Sequence, residues 1–589
     1  MRRPASGGLA AAFLAGLLAF LPGGTVGPAA TLGWGAAGLD AQQVLAGAPG
    51  EVLRAAGGMV VSEHPEASRA GAAVLARGGN AVDAAVATGF ALAVTHPSAG
   101  NIGGGGFMIV RFPDGTATTL DFREAAPGRA HPEMWLEDGE YSAERHHYSH
   151  RAVGVPGTVA GFEKAHRLYG RTPWTSVVEP AVRLARDGFP LSERLAGSLA
   201  SMVRRFAHYP ATVAAFSREG VPYRAGEVLR QPDLALTLAR IRDLGAWEFY
   251  QGETARLVVA EMERGGGLLT AEDLARYRPR ERTPVTVDFR GYRVISMPPP
   301  SSGGVAVASM LNILEPLDLE GMGHNSADYL HHLAEAMWLA FRDRARYLGD
   351  TDFVDVPVHA LTSKAHAAEL RATIDPDRAS VSSPLDVAGA VESAQTTHYS
   401  VVDGSGMAVS VTYTLEAGYG SGIVVPEAGF LLNNEMGDFN AGPGLTDANG
   451  LIGTEPNLAR PGQRMLSSMS PAIVARDGAL VAVVGSPGGR TIINTVLQVI
   501  LNLTAFGMDL PEALAAPRIH HQWLPDRIVV EAEGFAPEAL AGLEARGHTV
   551  LVRGRQGLAH SILADPATGV LTGAPDPRNP DAGAAAVRR

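Results

Sequence analysis

Apolar residues recur at helical spacing in several segments of the chain. In residues 326–348 they are three or four positions apart and form one stripe, made of Leu330, Leu333, Met337, Phe341, Ala345 and Leu348. Ser326 is a suitable N-cap for this helix and Gly349 a suitable residue just after its end. Similar patterns predict a helix at residues 65–76 and a buried, alanine-rich helix at residues 80–94.

Other segments are less regular. The spacing of apolar residues also predicts helices at residues 154–169, 181–187 and 492–506. Most of the chain after residue 396 has the residue pattern of β-strands. The glycines at 103–106 precede a strand rather than following one, which favours a close backbone approach over a dinucleotide site. Two segments are predicted to be flexible: a leader at residues 42–56, and residues 374–395, which lose periodicity and carry Pro, Ser and Asp.

Two β-rich runs flank the turn residues 403–406, so residues 395–414 are predicted to form a hairpin. With a two- or four-residue loop, Thr396 faces residue 413; with a one-residue bulge, it faces Thr414. Two threonines in ordinary strand positions are one interpretation. The other is a nucleophile, because the Thr396 hydroxyl would gain an adjacent base, its own α-amine, if the bond between Gln395 and Thr396 were cut.

Composition narrows the possible functions. The 589 residues carry a net charge of −12, so attraction to nucleic acid or to anionic lipid is not expected. The chain contains no cysteine, which excludes disulfides, thiolate metal sites and a cysteine nucleophile. His146, His147 and His150 lie close together, and His146 and His150 have the spacing of a helical metal pair. Tyr148 and Ser149 indicate a loop there, so we interpret these as surface histidines, and we interpret the pair His520 and His521 in the same way. No metal and no cofactor are therefore predicted.

The N-terminus is predicted to be a signal peptide. Arg2 and Arg3 precede an uncharged apolar run at residues 9–21, and Pro22 follows it. The run is too short to cross a bilayer, although an uncleaved interfacial anchor is an alternative. We expect residues 1–41 to be signal peptide and leader, and the mature protein to be periplasmic or secreted, without a membrane span.

Several long motifs resemble the γ-glutamyltransferase family (γ-glutamyltranspeptidases). The resemblance spans roughly residues 57–585, and its motifs are GGNAVDAAVA (78–87), HPSAGNIGGGGFM (96–108), DFREAAP (121–127), GVPGTVAGF (154–162), SMPPPSSGG (296–304), TTHYSVVD (396–403), LLNNEMGDF (431–439), LSSMSP (466–471), GSPGG (485–489) and APRIHHQ (516–522). The resemblance implies an α/β N-terminal nucleophile hydrolase, a four-layer αββα sandwich built from two chains cut from one precursor.

The resemblance also implies roles for individual residues. The precursor would cut itself before Thr396, giving a large subunit (42–395) and a small subunit (396–589) that stay together as a heterodimer. Thr396 would be the nucleophile, Thr414 would hydrogen-bond its hydroxyl, and the backbone N–H groups of Gly488 and Gly489 would stabilise the oxyanion. The residues implied to bind the γ-glutamyl substrate are Arg123 (α-carboxylate), Glu435 and Asp438 (α-ammonium), Ser467 and Ser468 (further carboxylate contacts), and Glu416.

The implied reaction is hydrolysis of glutathione and transfer of its γ-glutamyl group to an amino acid or peptide acceptor. This sequence departs from the family pattern at three positions: Glu416 replaces a frequent Asn, Gly437 replaces Asp, and Asn449 stands in the predicted lid (439–465) where an aromatic gate is expected. Alternatives on the same scaffold are a glutaryl or cephalosporin acylase and a poly-γ-glutamate hydrolase. An inactive binding protein that never matures is the alternative from another class.

Overall fold

The computed structural model describes residues 44–383, 396–451 and 453–588. The predicted signal peptide lies outside these residues, as do residues 384–395 of the segment before Thr396. Among the helices of the described part, none is both long and apolar enough to cross a membrane.

The helices of the described part lie mostly on the outside of two large sheets. In chain order they are α1 (Pro65–Ala76), α2 (Ala81–Thr95), α3 (Ala143–His147), α4 (Thr158–Tyr169), α5 (Trp174–Asp187), α6 (Glu193–Arg205), α7 (Pro210–Phe216), α8 (Pro232–Leu244), α9 (Ala246–Gln251), α10 (Glu253–Gly265), α11 (Ala271–Arg276), α12 (Gly303–Leu314), α13 (Leu319–Met322), α14 (Ala327–Tyr347), α15 (Val358–Leu361), α16 (Lys364–Arg371), α17 (Thr491–Thr504), α18 (Leu510–Ala515) and α19 (Pro537–Ala545). Short 3₁₀ turns occur at His150–Ala152, Glu435–Asp438 and Glu455–Asn457.

The strands form two large sheets and several small ones. In chain order they are β1 (Val44–Ala46), β2 (Leu53–Ala55), β3 (Gly58–Ser62), β4 (Gly105–Arg111), β5 (Ala117–Asp121), β6 (Leu136–Glu137), β7 (Glu140–Tyr141), β8 (Phe189–Pro190), β9 (Ser217–Arg218), β10 (Val221–Pro222), β11 (Val228–Leu229), β12 (Arg280–Arg282), β13 (Val285–Phe289), β14 (Tyr292–Ser296), β15 (Thr397–Asp403), β16 (Ala408–Thr414), β17 (Ala472–Arg476), β18 (Ala479–Val484), β19 (Ile519–His520), β20 (Ile528–Glu531), β21 (Val550–Arg553), β22 (Ser561–Ala564), β23 (Leu571–Ala574) and β24 (Gly583–Val587).

The two large sheets pack face to face. The first has the order β1-β24-β3-β15-β16-β4-β5-β12, the second β13-β14-β17-β18-β22-β23-β2, and both are antiparallel. Val61 and Ile109 of the first sheet and Ile473 and Val483 of the second belong to one buried apolar cluster between them. A second cluster joins the first sheet to α1, α2 and α5, and a third joins the second sheet to α12, α14 and α17. The predicted four-layer αββα sandwich is therefore confirmed.

Each large sheet contains strands that precede Thr396 in the sequence and strands that follow it. In the first sheet β15 and β16 lie between β3 and β4, hydrogen-bonded to both. In the second sheet β17 pairs with β14, and β23 pairs with β2. The two predicted subunits therefore share both large sheets, and neither large sheet is built by one subunit alone.

The predicted long helices are observed, and Ser326 is the N-cap of α14 as predicted, whereas Asn80 caps α2 instead of lying inside it. In α14, Ser326 accepts a hydrogen bond from the backbone N–H of Tyr329. At α2, Asn80 and Asp83 form a reciprocal capping box, which satisfies backbone N–H groups that a helix start leaves unpaired. The helix predicted at residues 492–506 is α17, but α18 and α19 follow it in the region interpreted as mostly strand.

The flexible leader predicted at residues 42–56 is wrong over the described residues. β1 pairs with β24, and β2 pairs with β23, so this segment closes one end of each large sheet. Poor order is also wrong for residues 379–383. There the Ser380 hydroxyl donates to Glu335 at 2.6 Å, and Trp338 Nε1 donates to the Ser382 hydroxyl at 2.7 Å.

Candidate active site

The hairpin of β15 and β16 places the two candidate threonines at the same end of the first sheet. Thr397 faces Tyr413, and the pairing continues to Val402 and Ala408, so the register brings Thr396 beside Thr414. The Asp403 N–H donates to Met407 O at 3.0 Å, and Gly406 has a φ of 85°. Of the two registers predicted from the sequence, the structure has the bulged one, in which Thr396 faces Thr414. The left-handed Gly406 is the residue that the bulge adds to the turn.

The glycine run at 103–106 lies directly behind Thr414. Asn101 Nδ2 donates to Thr414 O at 2.8 Å, and a Cβ added to Gly104 would come within 2.1 Å of that same oxygen. A Cβ added to Gly106 would come within 2.4 Å of Tyr413 Cβ. The predicted close backbone approach is therefore confirmed, and it fixes the end of β16 that carries Thr414.

Gly488 and Gly489 form the turn between β18 and α17. Their φ values are 133° and 56°, which strongly favour glycine, and neither N–H donates to an acceptor within the described residues. Gly488 and Thr396 line one cavity, and Gly489 and Thr396 line an adjoining narrow pocket. Two unpaired backbone donors beside a hydroxyl, at the positive end of a helix, suit the stabilisation of an oxyanion.

The narrow pocket, of about 20 Å³, collects every predicted site residue except Gly488. It is lined by Arg123, Thr396, Thr414, Glu416, Glu435, Asp438, Ser467, Ser468 and Gly489, together with Met469 and Ile492. These residues come from distant parts of the sequence. The geometry agrees with the roles that the resemblance implies, which stay predictions until they are tested by substitution.

Arg123 lies at the centre of a buried group of charges. Its Nη1 donates to Glu435 and its Nη2 to Asp438, while Nε donates to the backbone O of Met465 at 3.3 Å. Burial would lower the pKa of Arg123, but the two carboxylates outweigh it and raise the pKa. Arg123 therefore stays charged, with its fork directed at the same two acids that are predicted to bind an ammonium group.

Glu124 was missed by the sequence interpretation, although it follows Arg123 in the DFRE motif. Its carboxylate is buried, 3.8 Å from Arg123 Nη1, and has no hydrogen-bond partner among the described side chains and backbone groups. Burial, opposed by Arg123, raises the pKa of Glu124 to about 8. Burial also raises the pKa of Glu435 well above its usual range, and Glu124 and Asp438 add to this effect. These acids thus compete for one cation.

Glu416 occupies a strained backbone position beside Thr414. Its φ is 78°, and its N–H donates to the Thr414 hydroxyl at 2.9 Å. The carboxylate accepts a hydrogen bond from Asn434 Nδ2. Asparagine, frequent at this position in the family, tolerates positive φ better than glutamate does. Glu416 brings a further buried carboxylate to the pocket, so this departure makes the pocket more acidic.

Ser467 and Ser468 are held by a residue that the sequence interpretation missed. Arg344, on α14, donates from Nη2 to the Ser468 hydroxyl at 3.2 Å and from Nε to the Ser302 hydroxyl at 2.9 Å. The Ser302 hydroxyl in turn donates to Ser467 O at 2.7 Å. Arg344 therefore positions the serine pair; the only available signal was a basic residue at the end of an otherwise apolar helix stripe.

The histidine interpretation needs correction. His146 lies in α3 rather than in a loop, buried against the Trp135 ring at a centroid distance of 4.4 Å. His150 is buried and bonds to Glu261 at 2.8 Å, so the two histidines do not converge. His520 and His521 are also buried rather than at the surface. Their burial depends on residues distant in sequence, which local pattern does not reveal.

His147 explains the glycine at position 437. A Cβ added to Gly437 would come within 2.4 Å of His147 Nδ1, so the imidazole occupies the space of the missing side chain. In the predicted lid, Asn449 is exposed and donates to Asp447 at 3.2 Å. The lid is anchored beside the pocket because Asn457 Nδ2 donates to Asp438 O at 2.7 Å.

The site geometry agrees with what comparisons with known proteins find. A family model described as Gamma-glutamyltranspeptidase matches residues 67–586. The chain belongs to this family. It is 49% identical to the glutathione hydrolase proenzyme of Escherichia coli (strain K12) over 533 residues, which is 90% of this chain and 92% of that protein. The word proenzyme fits a γ-glutamyltranspeptidase that is processed into two subunits.

Solved structures of similar proteins include more than one activity. A cephalosporin acylase from Bacillus halodurans is 30% identical with a TM-score of 0.80, covering 91% of this chain and 97% of that one. A γ-glutamyltranspeptidase from Helicobacter pylori is 45% identical with a TM-score of 0.53, covering 54% of this chain and 91% of that one. The family membership fixes the fold, while the choice between glutamyl and other acyl groups depends on the pocket.

Proposed function

We propose that this γ-glutamyltranspeptidase family member is the proenzyme of a γ-glutamyltransferase that also hydrolyses glutathione. The proposal rests on one observation: Thr396 lines the same pocket as the guanidinium of Arg123 and the carboxyl groups of Glu435 and Asp438, which are paired with it. A glutamyl group presents an α-carboxylate and an α-ammonium at the end away from its γ-carbonyl. Opposite charges fixed next to a nucleophile match that zwitterionic end.

Maturation would begin with the precursor bond itself. The Thr396 hydroxyl attacks the carbonyl carbon of Gln395, and the acyl group shifts from nitrogen to oxygen. This shift breaks the C–N bond and so frees the α-amine of Thr396. Water then hydrolyses the ester, which restores the Thr396 hydroxyl and leaves the large subunit (42–395) with Gln395 as its C-terminal residue. The small subunit (396–589) remains attached, because β15 and β16 are paired with β3 and β4.

The freed amine supplies the base that a threonine hydroxyl needs. It accepts the Oγ proton while Oγ attacks the γ-carbonyl carbon of the donor. The N–H groups of Gly488 and Gly489 then stabilise the tetrahedral oxyanion. When that intermediate collapses, the C–N bond breaks and the leaving amine takes the proton. Water, or the amine of an amino acid or peptide acceptor, then attacks the ester carbonyl of the γ-glutamyl group on Thr396. The bond to Oγ breaks, the γ-glutamyl group passes to the attacking molecule, and Oγ regains a proton from that molecule through the α-amine.

The predicted location follows from the N-terminal segment alone. Residues 1–41 have the pattern of a signal peptide and leader, so we propose export to the periplasm or the medium. Fractionation of expressing cells, with mass spectrometry of the mature N-terminus, tests this; retention in the cytoplasm with Met1 intact would contradict it.

An acylase is the second candidate, favoured by the likeness to the Bacillus halodurans enzyme. A glutaryl group reaches the same carbonyl position but has no ammonium. Asp438 and Glu435, which line the pocket beside Arg123, would find no cationic group to bind in such a substrate. The pocket therefore favours the glutamyl donor.

The deciding experiment compares γ-glutamyl and glutaryl anilides with the wild type and with mature Asp438→Asn. Removing one partner of a buried charge pair costs about 3–5 kcal/mol, so kcat/KM for the γ-glutamyl anilide should fall on the order of a hundredfold or more. Turnover of the glutaryl anilide should be low in the wild type and should differ little in Asp438→Asn. Asp477→Asn, at an exposed turn, is the matched control. A wild type that prefers glutaryl, or equal ratios in both proteins, would establish an acylase.

A further inference from the structure

A cavity of about 670 Å³ opens from Thr396 beside the narrow glutamyl pocket. Thr396 and Gly488 lie on its lining, which places the leaving group and the incoming acceptor in this space. Farther along the lining are four arginines: Arg194, Arg205 and Arg555, which are exposed, and Arg578, which is paired with Glu531.

The charges along this cavity are not balanced. Its lining includes one carboxylate, Glu63, which is buried and accepts a hydrogen bond from Asn579. Arg205 and Arg555 have no carboxylate within 4 Å among the described residues. Arg205 instead lies over the Tyr148 and Phe206 rings, at 5.3 and 4.9 Å from their centroids. Stacking of this kind leaves the guanidinium edge available to an anion.

The excess of positive charge continues into a second cavity of about 400 Å³. Gly488 and Arg555 line both cavities, and the second adds Arg490, Arg527 and Arg553 without any Asp or Glu in its described lining. Arg527 Nε is buried and has no hydrogen-bond partner in the described part of the chain. The protein as a whole carries a net charge of −12, so the positive charge of these two cavities is opposite in sign to the net charge of the chain.

We propose that the arginines of these two cavities bind carboxylates of the leaving group and of the acceptor, and so select acidic amino acids and acidic peptides. Arg205 and Arg555 would contact a side-chain carboxylate next to the scissile amide, and Arg527 and Arg553 the carboxylates of a longer acidic peptide. This inference rests on the proposed function, because it concerns the amine bonded to the γ-glutamyl group. The carboxylate–guanidinium match is the recognition chemistry.

The test uses two donors that differ by one charge, γ-glutamylglutamate and γ-glutamylglutamine. Mature wild-type protein should hydrolyse the first with the higher kcat/KM, on the order of two- to fivefold per contributing arginine, as for exposed ion pairs. Raising the salt concentration should reduce this ratio, because exposed charges are screened. In the Arg205→Gln/Arg555→Gln double variant the ratio should approach one, and Arg555→Lys should restore part of it.

Arg54→Gln is the matched control, since Arg54 is exposed on β2 and lines neither cavity. It should keep the wild-type ratio. A wild-type ratio of one or less, or an unchanged ratio in the double variant, overturns the inference. Failure of the wild type to hydrolyse either donor would instead contradict the proposed function, so the two failures are distinguishable.

Discussion

Replacing Glu124 by glutamine tests the electrostatics of the buried pocket directly. In the folded protein burial raises the pKa of Glu124 to about 8, from an ordinary value of 4.5 for a glutamate in water. Between these values the folded chain holds a proton that the unfolded chain releases. The native state therefore binds more protons than the unfolded state, and the free energy of unfolding falls as the pH rises.

The size of this effect follows from the pKa difference. One pH unit changes the free energy of unfolding by about 1.4 kcal/mol for a single group. Glu124 and Glu435 share the charge of Arg123, so the loss across the interval from pH 4.5 to about 8 belongs to the pair and is on the order of a few kcal/mol. Glu124→Gln removes this titration. It also lowers the pKa of Glu435, because Glu435 loses a like-charged neighbour.

The assay is thermal unfolding from pH 5 to pH 8 in a Thr396→Ala background, which keeps the chain in one piece. Both proteins should be similarly stable near pH 5, and the melting temperature should fall more steeply with pH when Glu124 is present. Glu263→Gln, on the exposed side of α10, should keep the steep slope. Equal slopes with and without Glu124 would refute the reasoning.

Three further predictions concern single residues. Thr396→Ala should remain one chain by intact mass spectrometry, and Thr396→Ser should still process; cleavage of the alanine variant would exclude self-processing by Thr396. Arg123→Lys should mature normally but raise KM for a γ-glutamyl anilide about ten- to a hundredfold, because the bidentate fork is lost; unchanged kinetics would remove Arg123 from substrate binding. Arg344→Met should raise KM with less effect on kcat, because the Ser468 hydroxyl loses its hydrogen bond to Arg344. A fall in kcat with KM unchanged would contradict a positioning role.

Elements whose pattern is local could be predicted well from the sequence. α1 begins and ends where the apolar spacing indicated, and α2 and α14 differ by one residue at each end, because caps and stripes lie within each segment. The hairpin register was left open between two possibilities, since only the left-handed Gly406 selects the bulge.

Elements that depend on distant partners could not be predicted. β1 and β2 are three residues each and partly exposed, and they exist as strands because β24 and β23 pair with them from the other end of the chain. His146 looked like a surface residue because nothing near it in sequence shows that Trp135 stacks on its ring.

The candidate site divides in the same way. The hairpin brought Thr396 and Thr414 together, and the need of a threonine for an adjacent base made Thr396 a possible nucleophile; the family resemblance selected this interpretation over two ordinary strand threonines. The contacts of Arg123 with Glu435 and Asp438 join residues more than 300 positions apart, so only the family resemblance could bring them together. Arg344 was missed because its target, Ser468, lies on a loop of the other predicted subunit.

The position of β15 explains how one threonine can serve two reactions. The bond before Thr396 lies outside the hydrogen-bonded part of the strand, since pairing with β16 begins at Thr397. Cutting that bond therefore removes no ladder hydrogen bond of β15, whose other edge remains paired with β3. Because these pairings do not involve the bond before Thr396, we expect cleavage to leave the Thr396 hydroxyl beside Gly488 and Gly489, with which it lines the two adjoining cavities. A site able to stabilise the oxyanion of its own peptide bond then needs only the departure of the preceding segment to accept a γ-glutamyl amide in that place.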